Sequence, residues 1–535
     1  MSHLRKTCLF SVVLLLLVVG WAPVADPPKP GEQVETFFSD AAGYVPFKSG
    51  GMSCESLKSL KLPETTITAA EFITQLPWTS PGGTFGSATV SIPFCRVVGV
   101  VTPSINFEVW LPPAKGDESW NGKFNGVGNG GLAGGINYPA MLSSLTRGYA
   151  TASTDTGHVG FLGDGSWALG RPDLLVDFGY RAIHMMTRAA KATVEAYYSK
   201  GPRYSYFTGC SGGGQQALSE AQRYPADYDG IVAGAPANFP THMWPGELYP
   251  AWVSDQNAVA TTLPGKLTLI STAAVAACDA LDGLTDGLIN DPRKCNFDPS
   301  TLQCPGADAP TCLTTAQVDT VKKIYAGLKD PSGQQFWPAY EISSEIGWAG
   351  HINPFSIPPS YFKYMVFQDP NWDWKTFSFT DPNNFQIMNN AHYRLGPILN
   401  ATESDLSAFK GLGGKLIMYH GWLDQNIAPR NSINYYQSVV ETMGGKRQAQ
   451  NFLRLFMAPG VQHCGGGPGP DTFDSLGALE QWVEHHKAPE KIIASHLTND
   501  VVDRTRPLCV YPQVAQYKGK GDTNDAKNFI CANPK

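Results

Sequence analysis

Two hydrophobic rhythms alternate along this chain. Short apolar runs recur from residue 88 onward, at Ala88–Ile92, Arg96–Val101, Asn106–Leu111, Lys123–Val127, Tyr149–Ser153, Tyr204–Phe207 and Gly230–Ala233. Runs of this length bounded by turn residues predict strands. Between them Pro172–Ser199 repeats apolar residues at helical spacing (Leu175, Phe178, Ala182, Met185, Met186, Ala189, Ala192, Ala196), and Gly201-Pro202 ends it. Gly212–Arg223 predicts a second helix. The rhythm returns with strands at Lys415–Tyr419 and Phe452–Phe456 and a helix at Ser475–His486. Strands alternating with helices predict an α/β fold with a mostly parallel sheet.

Residues 241–395 lack that rhythm, so they are expected to form an inserted lid domain over a catalytic domain of residues 26–240 and 396–535. In the stretch 333–392, 14 of 60 residues are Phe, Tyr or Trp, against 11% for the whole chain. That enrichment suits either an ordinary core or a pocket for a planar substrate.

The first 25 residues change the picture of where the chain works. Arg5 and Lys6 precede a mostly apolar run from Leu9 to Gly20, and small residues follow at Ala22 and Ala25. This predicts a signal peptide at 1–25, too short for a membrane span, and hence a secreted protein, extracellular or periplasmic. No later run is long enough to hold the mature form in a membrane. Net charge is −6 with 16% charged residues and no basic stripe, which excludes a nucleic-acid partner. Of 11 cysteines, Cys8 falls in the leader, and the even remainder suggests disulfides. Local spacing favours Cys54–Cys95, Cys278–Cys295, Cys304–Cys312 and Cys509–Cys531 among the many connectivities possible. Cys210 and Cys464 are left over.

Gly209-Cys210-Ser211-Gly212-Gly213 fits G-x-S-x-G between a predicted strand and helix. A serine on such a turn needs glycine neighbours to avoid clashes, and the helix N-terminus behind it offers N–H groups to an oxyanion. The partners are expected after later strands, in the order acid then histidine. Asp424 follows Lys415–Tyr419, and His463 follows Phe452–Phe456. His420 lies too close to its strand end, Asp155 and His158 precede the serine, and His485 and His486 end a helix. If Ser211 meets His463, their neighbours Cys210 and Cys464 come within disulfide reach, stapling nucleophile to base.

Cys210-Ser211, Asp424 and His463-Cys464 together resemble the CS-D-HC motif of the tannase and feruloyl esterase family. Trp120–Phe124 leading into Gly126–Gly131, Asp229–Pro236 and Arg504–Cys509 add to the likeness, which runs from about Ser53 to the C-terminus. The resemblance implies an α/β-hydrolase core with an inserted lid, the five disulfides paired as above, and an oxyanion hole made by the N–H groups of Gly128 and Gly212. It implies a serine carboxylesterase for small aromatic esters, acting through an acyl-enzyme with no organic cofactor.

Asp279, Asp282 and Asp286, spaced by three and four and interleaved with glycine, suit either a Ca²⁺ site or a solvated acidic loop. The resemblance favours structural calcium, with Leu284 and Leu288 adding backbone carbonyls. Relatives of this kind cleave galloyl, feruloyl or terephthalate monoesters. The last carry a carboxylate that an arginine would suit, yet none occurs from Lys294 through Tyr393, where Lys363 and Lys375 are the substitutes. The expectation is therefore a feruloyl esterase, with tannase and terephthalate monoester hydrolase as alternatives. A peptidase or acyltransferase on the same triad, and a non-catalytic protein binding phenolics or polysaccharide, are the competing classes.

Overall fold

Nine strands build the central sheet in this computed structural model, which describes residues 51–534. The expected signal peptide lies outside the described residues. The strands are β1 (Thr65–Ile73), β2 (Phe94–Val101), β3 (Ile105–Leu111), β4 (Lys123–Val127), β5 (Ala150–Thr154), β6 (Tyr204–Cys210), β7 (Gly230–Gly234), β8 (Lys415–Gly421) and β9 (Leu453–Ala458). Their spatial order is β1-β2-β3-β5-β4-β6-β7-β8-β9. The pairs from β1 to β5 are antiparallel, and those from β5 through β4 to β9 are parallel. Strands β5, β7 and β9 are buried at every position, as parallel strands covered on both faces must be. This is the mostly parallel α/β sheet that the hydrophobic pattern predicts.

The main helices are α1 (Ala182–Tyr198), α2 (Gly212–Arg223), α3 (Pro240–Gln256), α4 (Pro382–Leu399), α5 (Pro429–Thr442) and α6 (Ser475–His485). One face of the sheet packs α1 and α5, with Met186, Tyr435 and Val439 against Phe107, Phe124 and Phe207. On the other face, Leu479 and Trp482 of α6 cover Tyr206, Val232, Ile417 and Phe456.

The helix expected over Pro172–Ser199 is continuous from Pro172 to Tyr198, with a wide helical turn at Asp177–Arg181 just ahead of α1. At that turn a side chain on Gly179 would stand 2.4 Å from the Ile398 carbonyl oxygen, so two backbones meet there. The strand expected at Ala88–Ile92 shortens to Thr89–Val90, which pairs with Trp78–Thr79 outside the main sheet. Pro93 follows it and has no N–H for a ladder. β1 is the edge strand instead, and its mixed burial explains why no alternation announced it.

Residues 240–399 carry α3 packed along α4 and a separate apolar cluster that includes Trp244, Tyr361, Phe362, Phe377 and Phe385. Most of the aromatic enrichment is therefore core.

The parallel strands end together. Cys210 pairs in register with Gly234, Gly234 with Tyr419, and Gly421 with Ala458. The loops after β6, β8 and β9 consequently leave the same edge, the usual place for a ligand site in such sheets. Gly209, one residue before the end of β6, is constrained by this crowding. A Cβ there would stand 2.3 Å from the Gly213 carbonyl oxygen, which is backbone and cannot swing away. Gly209→Ala is expected to destabilise the protein by about 1–3 kcal/mol, measured as a lower denaturant midpoint against wild type; an unchanged midpoint would contradict this packing.

Candidate active site

Ser211 occupies the turn between β6 and α2 with φ 64° and ψ −122°, a left-handed conformation rare for a non-glycine residue. Such strain needs surrounding support. The Ser211 N–H donates to the Gly234 carbonyl at 3.0 Å, and its own carbonyl accepts from Gln215 and Ala237, each at 3.0 Å. The turn is thereby pinned to β7 and to the first turn of α2.

Asp424 lies three residues beyond β8 and is fully buried. Its Oδ1 accepts the N–H groups of Asn426 and Ile427, both at 2.8 Å. Its Oδ2 accepts from His463 Nδ1 at 2.8 Å and from His420 Nε2 at 3.0 Å. Burial alone would raise the pKa of this carboxyl, but the charges of and hydrogen bonds from the two histidines outweigh burial and hold it well below the ordinary range. With Nδ1 tied to Asp424, Nε2 is the ring nitrogen of His463 that is left for another partner. The expected acid and base are thus in contact.

His420 is the residue that sequence reasoning undervalued. Its Nδ1 meets the Ser432 hydroxyl at 2.7 Å, and its Nε2 also reaches the Ile427 carbonyl at 3.1 Å. The signal was the spacing His420-x-x-x-Asp424, short enough for the turn after β8 to bring Asp424 back onto His420. The other rivals have structural places. His158 is buried, stacks on Trp167 at 4.0 Å and bonds the Leu132 carbonyl at 2.9 Å. Asp155 accepts from Asn106 and Gly157, each N–H at 2.9 Å. His485 and His486 are exposed at the end of α6.

All ten cysteines of the described residues are paired as the spacing and resemblance predict. Cys210–Cys464 joins positions 254 residues apart with Cα atoms 6.0 Å apart. It holds the neighbours of Ser211 and His463 together, and both residues line one cavity of about 800 Å³. The Ser211 hydroxyl has no hydrogen-bond partner among the described residues. Such bonds are commonly long in ligand-free sites and tighten with substrate bound.

The expected oxyanion donor Gly128 is corrected by the structure. Its N–H donates to the Thr208 carbonyl at 3.0 Å, continuing the pairing of β4 with β6, and so is not free. The next N–H, of Asn129, is taken by Gln216 Oε1 at 2.9 Å. The Gly130–Gly131 peptide lies against Gly212 instead, with Gly131 N 3.3 Å from where a Gly212 Cβ would stand. The N–H groups of Gly131 and Gly212 have no partner among the described residues.

The cavity wall is mainly apolar, with Phe85, Leu162, Phe178, Trp244, Phe355 and Ile357 among its side chains. Phe355 is the one aromatic of the stretch 333–392 that lines it. No lysine or arginine of the described residues lines it either, and Lys375 pairs with Asp255 at 3.3 Å instead.

The acidic loop sits within the Cys278–Cys295 disulfide. Asp279 accepts the N–H groups of Asp286 and Gly287 at 3.2 and 2.9 Å, and Asp282 accepts that of Leu284 at 2.9 Å and the Asn290 amide. Asp286 pairs with Arg506. Burial, then repulsion from Asp286 and Asp279, pushes Asp282 up to about 6. Gly283 and Gly287 turn the chain at φ 89° and 82°. This oxygen-only, crowded donor set is chemically suited to a hard cation. Its carboxylates are engaged by loop N–H groups, Asn290 and Arg506 rather than turned to a common point. Among the described residues, the acidic and histidine side chains whose ligand atoms do lie within 4.8 Å of one another are His184, Glu220 and Asp227. There the half-buried Lys191 donates to the Asp227 carbonyl and lies close enough to act on both carboxyl groups through its charge.

Among the described residues no helix is long and apolar enough to cross a membrane. Comparison with known proteins agrees with the geometry. Residues 88–532 match the family described as tannase and feruloyl esterase. An uncharacterized esterase of Xanthomonas campestris pv. campestris is 39% identical over 90% of this chain and 92% of its own length. A probable feruloyl esterase of Arthroderma benhamiae is 38% identical over 81% of this chain and 83% of its own. The solved structure of feruloyl esterase B from Aspergillus oryzae superposes with a TM-score of 0.82 at 29% identity, covering 90% of this chain and 99% of that one. A strained serine turn, a buried Asp–His pair, a disulfide joining their loops and these likenesses converge: the chain belongs to the tannase and feruloyl esterase family and is a carboxylic ester hydrolase.

Proposed function

We propose that this protein is an exported serine esterase that cleaves esters of hydroxycinnamic acids, of feruloyl type, through an acyl-enzyme on Ser211. The observation that carries this reading is the Cys210–Cys464 bond, which sets Ser211 beside a histidine already oriented by Asp424, at the wall of a mainly apolar cavity. His463 takes the Ser211 proton as Oγ attacks the ester carbonyl, and Asp424 stabilises the imidazolium. The oxyanion forms against the N–H groups of Gly131 and Gly212, the latter at the N-terminus of α2. His463 then protonates the leaving alcohol, and water attacks the acyl-enzyme to release the acid.

The alternatives weigh differently. A terephthalate monoester would bring a carboxylate into a cavity with no cation along its described wall, at a desolvation cost nothing there offsets. A galloyl ester is smaller and more polar than this apolar wall calls for. The segment 241–395 supplies Met243, Trp244, Glu247, His351, Phe355 and Ile357 to the cavity, and acts as its lid. Export is supported by the leader pattern and by the five disulfides, which form in oxidising compartments. Asp279, Asp282 and Asp286, with the carbonyls of Leu284 and Leu288, would hold a structural Ca²⁺ that relieves the repulsion raising the Asp282 pKa.

Free-acid release from methyl ferulate, methyl gallate and a terephthalate monoester tests the reading. Ferulate release is expected to dominate, and Ser211→Ala to lower kcat by about 10⁴-fold or more; folded wild type that cleaves none of the three would refute it. Replacing Cys210 and Cys464 together by alanine is expected to destabilise the protein by about 2–5 kcal/mol in non-reducing denaturant titrations. The same pair of changes should lower kcat about 10–100-fold, since small displacements of reacting groups are costly. Chelation of calcium is expected to lower the thermal midpoint of wild type but not of Asp279→Asn/Asp282→Asn, with a calcium titration restoring it; equal midpoints with and without chelator would count against the metal.

A further inference from the structure

One carboxyl group lines the cavity that holds Ser211, and the acyl-transfer chemistry makes no use of it. Glu247 lies on α3, four residues after Met243 and three after Trp244, so the three side chains share one helix face and line the cavity together. Glu247 is 3% exposed, and its Oε2 is buried without a hydrogen-bond partner. A buried polar atom left unpaired is costly, and native structures tolerate it chiefly where function uses it. Burial first, and the charge of Asp424 second, push the Glu247 carboxyl well above its ordinary pKa. Its surroundings therefore favour the neutral form, which has one O–H to donate and a carbonyl oxygen to accept.

Two polar groups close to it are already committed. Tyr340 Oη bonds His351 Nδ1 at 3.2 Å, and His351 Nε2 bonds Asn426 Oδ1 at 3.0 Å. His351 is itself buried and held neutral, its pKa lowered to about 4 by burial. Glu247 is thus a hydrogen-bonding group with spare capacity, on an otherwise mainly apolar wall without a cation.

We propose that the Glu247 carboxyl is the specificity contact for a free phenolic hydroxyl on the acyl group of the bound ester. The site would then select aromatic esters that carry such a hydroxyl over analogues that lack it. This assignment rests on the aromatic-esterase reading above. Its physical basis is an asymmetry of recognition: a site built to bond a substrate hydroxyl discriminates strongly against the analogue without one, because its own buried group is then left unpaired. An apolar wall alone would treat the two rings nearly alike.

The test compares kcat/KM for methyl p-coumarate and methyl cinnamate, which differ by that hydroxyl, in wild type, Glu247→Leu and Glu247→Gln. Wild type is expected to prefer the coumarate by about tenfold or more, the worth of one well-made hydrogen bond. Glu247→Leu should bring the ratio near one, and Glu247→Gln, which keeps a neutral donor and acceptor, should retain most of it. Each ratio is taken on a single enzyme, so loss of folded protein cancels. Should the leucine variant not fold, the wild-type ratio and the glutamine variant decide. A wild-type ratio near one, a preference that survives Glu247→Leu, or a ratio that collapses in Glu247→Gln overturns the assignment while leaving the esterase reading intact. Cleavage of neither ester by wild type overturns both.

Discussion

The bond between Cys210 and Cys464 is the constraint on which the rest of the site depends. Parallel strands deliver the loops after β6 and β9 to one edge of the sheet, but β7 and β8 stand between them. Loops from strands that far apart have no hydrogen-bond ladder between them to set their separation. The disulfide supplies that distance directly, and because the cysteines adjoin Ser211 and His463, little flexible chain lies between the covalent link and those two side chains. The backbone accommodates this at both ends, since Ser211 and Cys464 each adopt positive φ, 64° and 63°. Tight turns at both loops let the cysteines face each other while serine and histidine reach the cavity.

Charge is the second organising force. Asp424 is an anion with no solvent contact, which would be costly if it were unpaired. Two backbone N–H groups and two imidazoles surround it, so every direction of its carboxylate is used. His420 shares Oδ2 with His463 and anchors to Ser432 on α5, which ties the acid loop to the helix behind it. From the segment 241–395, His351 bonds Asn426, whose own N–H bonds Asp424. The acid is therefore held from the sheet and from the inserted segment together. Glu247, by contrast, is buried on the cavity wall, and its carboxyl is shifted the other way. Burial raises the pKa of both carboxyl groups, and around Asp424 the charges and hydrogen bonds of the two histidines outweigh it.

The inserted segment is built differently from the sheet. Its aromatic residues stack mainly on each other, as Phe362 does with Trp372 at 5.1 Å and with Phe377 at 5.0 Å. A core of this kind needs no strand ladder, which accounts for the lost periodicity over 241–395. Only its inner edge, from α3 and the turn around His351–Ile357, reaches the cavity. The segment thus contributes shape and a few polar contacts, whereas the sheet edge contributes the reacting groups.

The sequence by itself determined the sheet and the candidate serine, acid and histidine. Buried parallel strands are short apolar runs, and the serine turn, the two strand-end loops and the paired cysteines are all local patterns. Interactions across the fold were not legible in the same way. The family resemblance implied Gly128 as an oxyanion donor, yet register with β6 commits its N–H to Thr208, while that of Gly131 has no partner among the described residues. His420 looked like a strand-end residue until folding placed Asp424 beneath it. The aromatic stretch looked equally suited to core or pocket until packing turned all but Phe355 away from the cavity. Glu247 carried no sequence signal at all, because an unpaired oxygen is a property of what surrounds it. Only the tertiary structure decides such matters: local patterns set the conformation of the backbone, while burial and hydrogen-bond partners depend on residues hundreds of positions away.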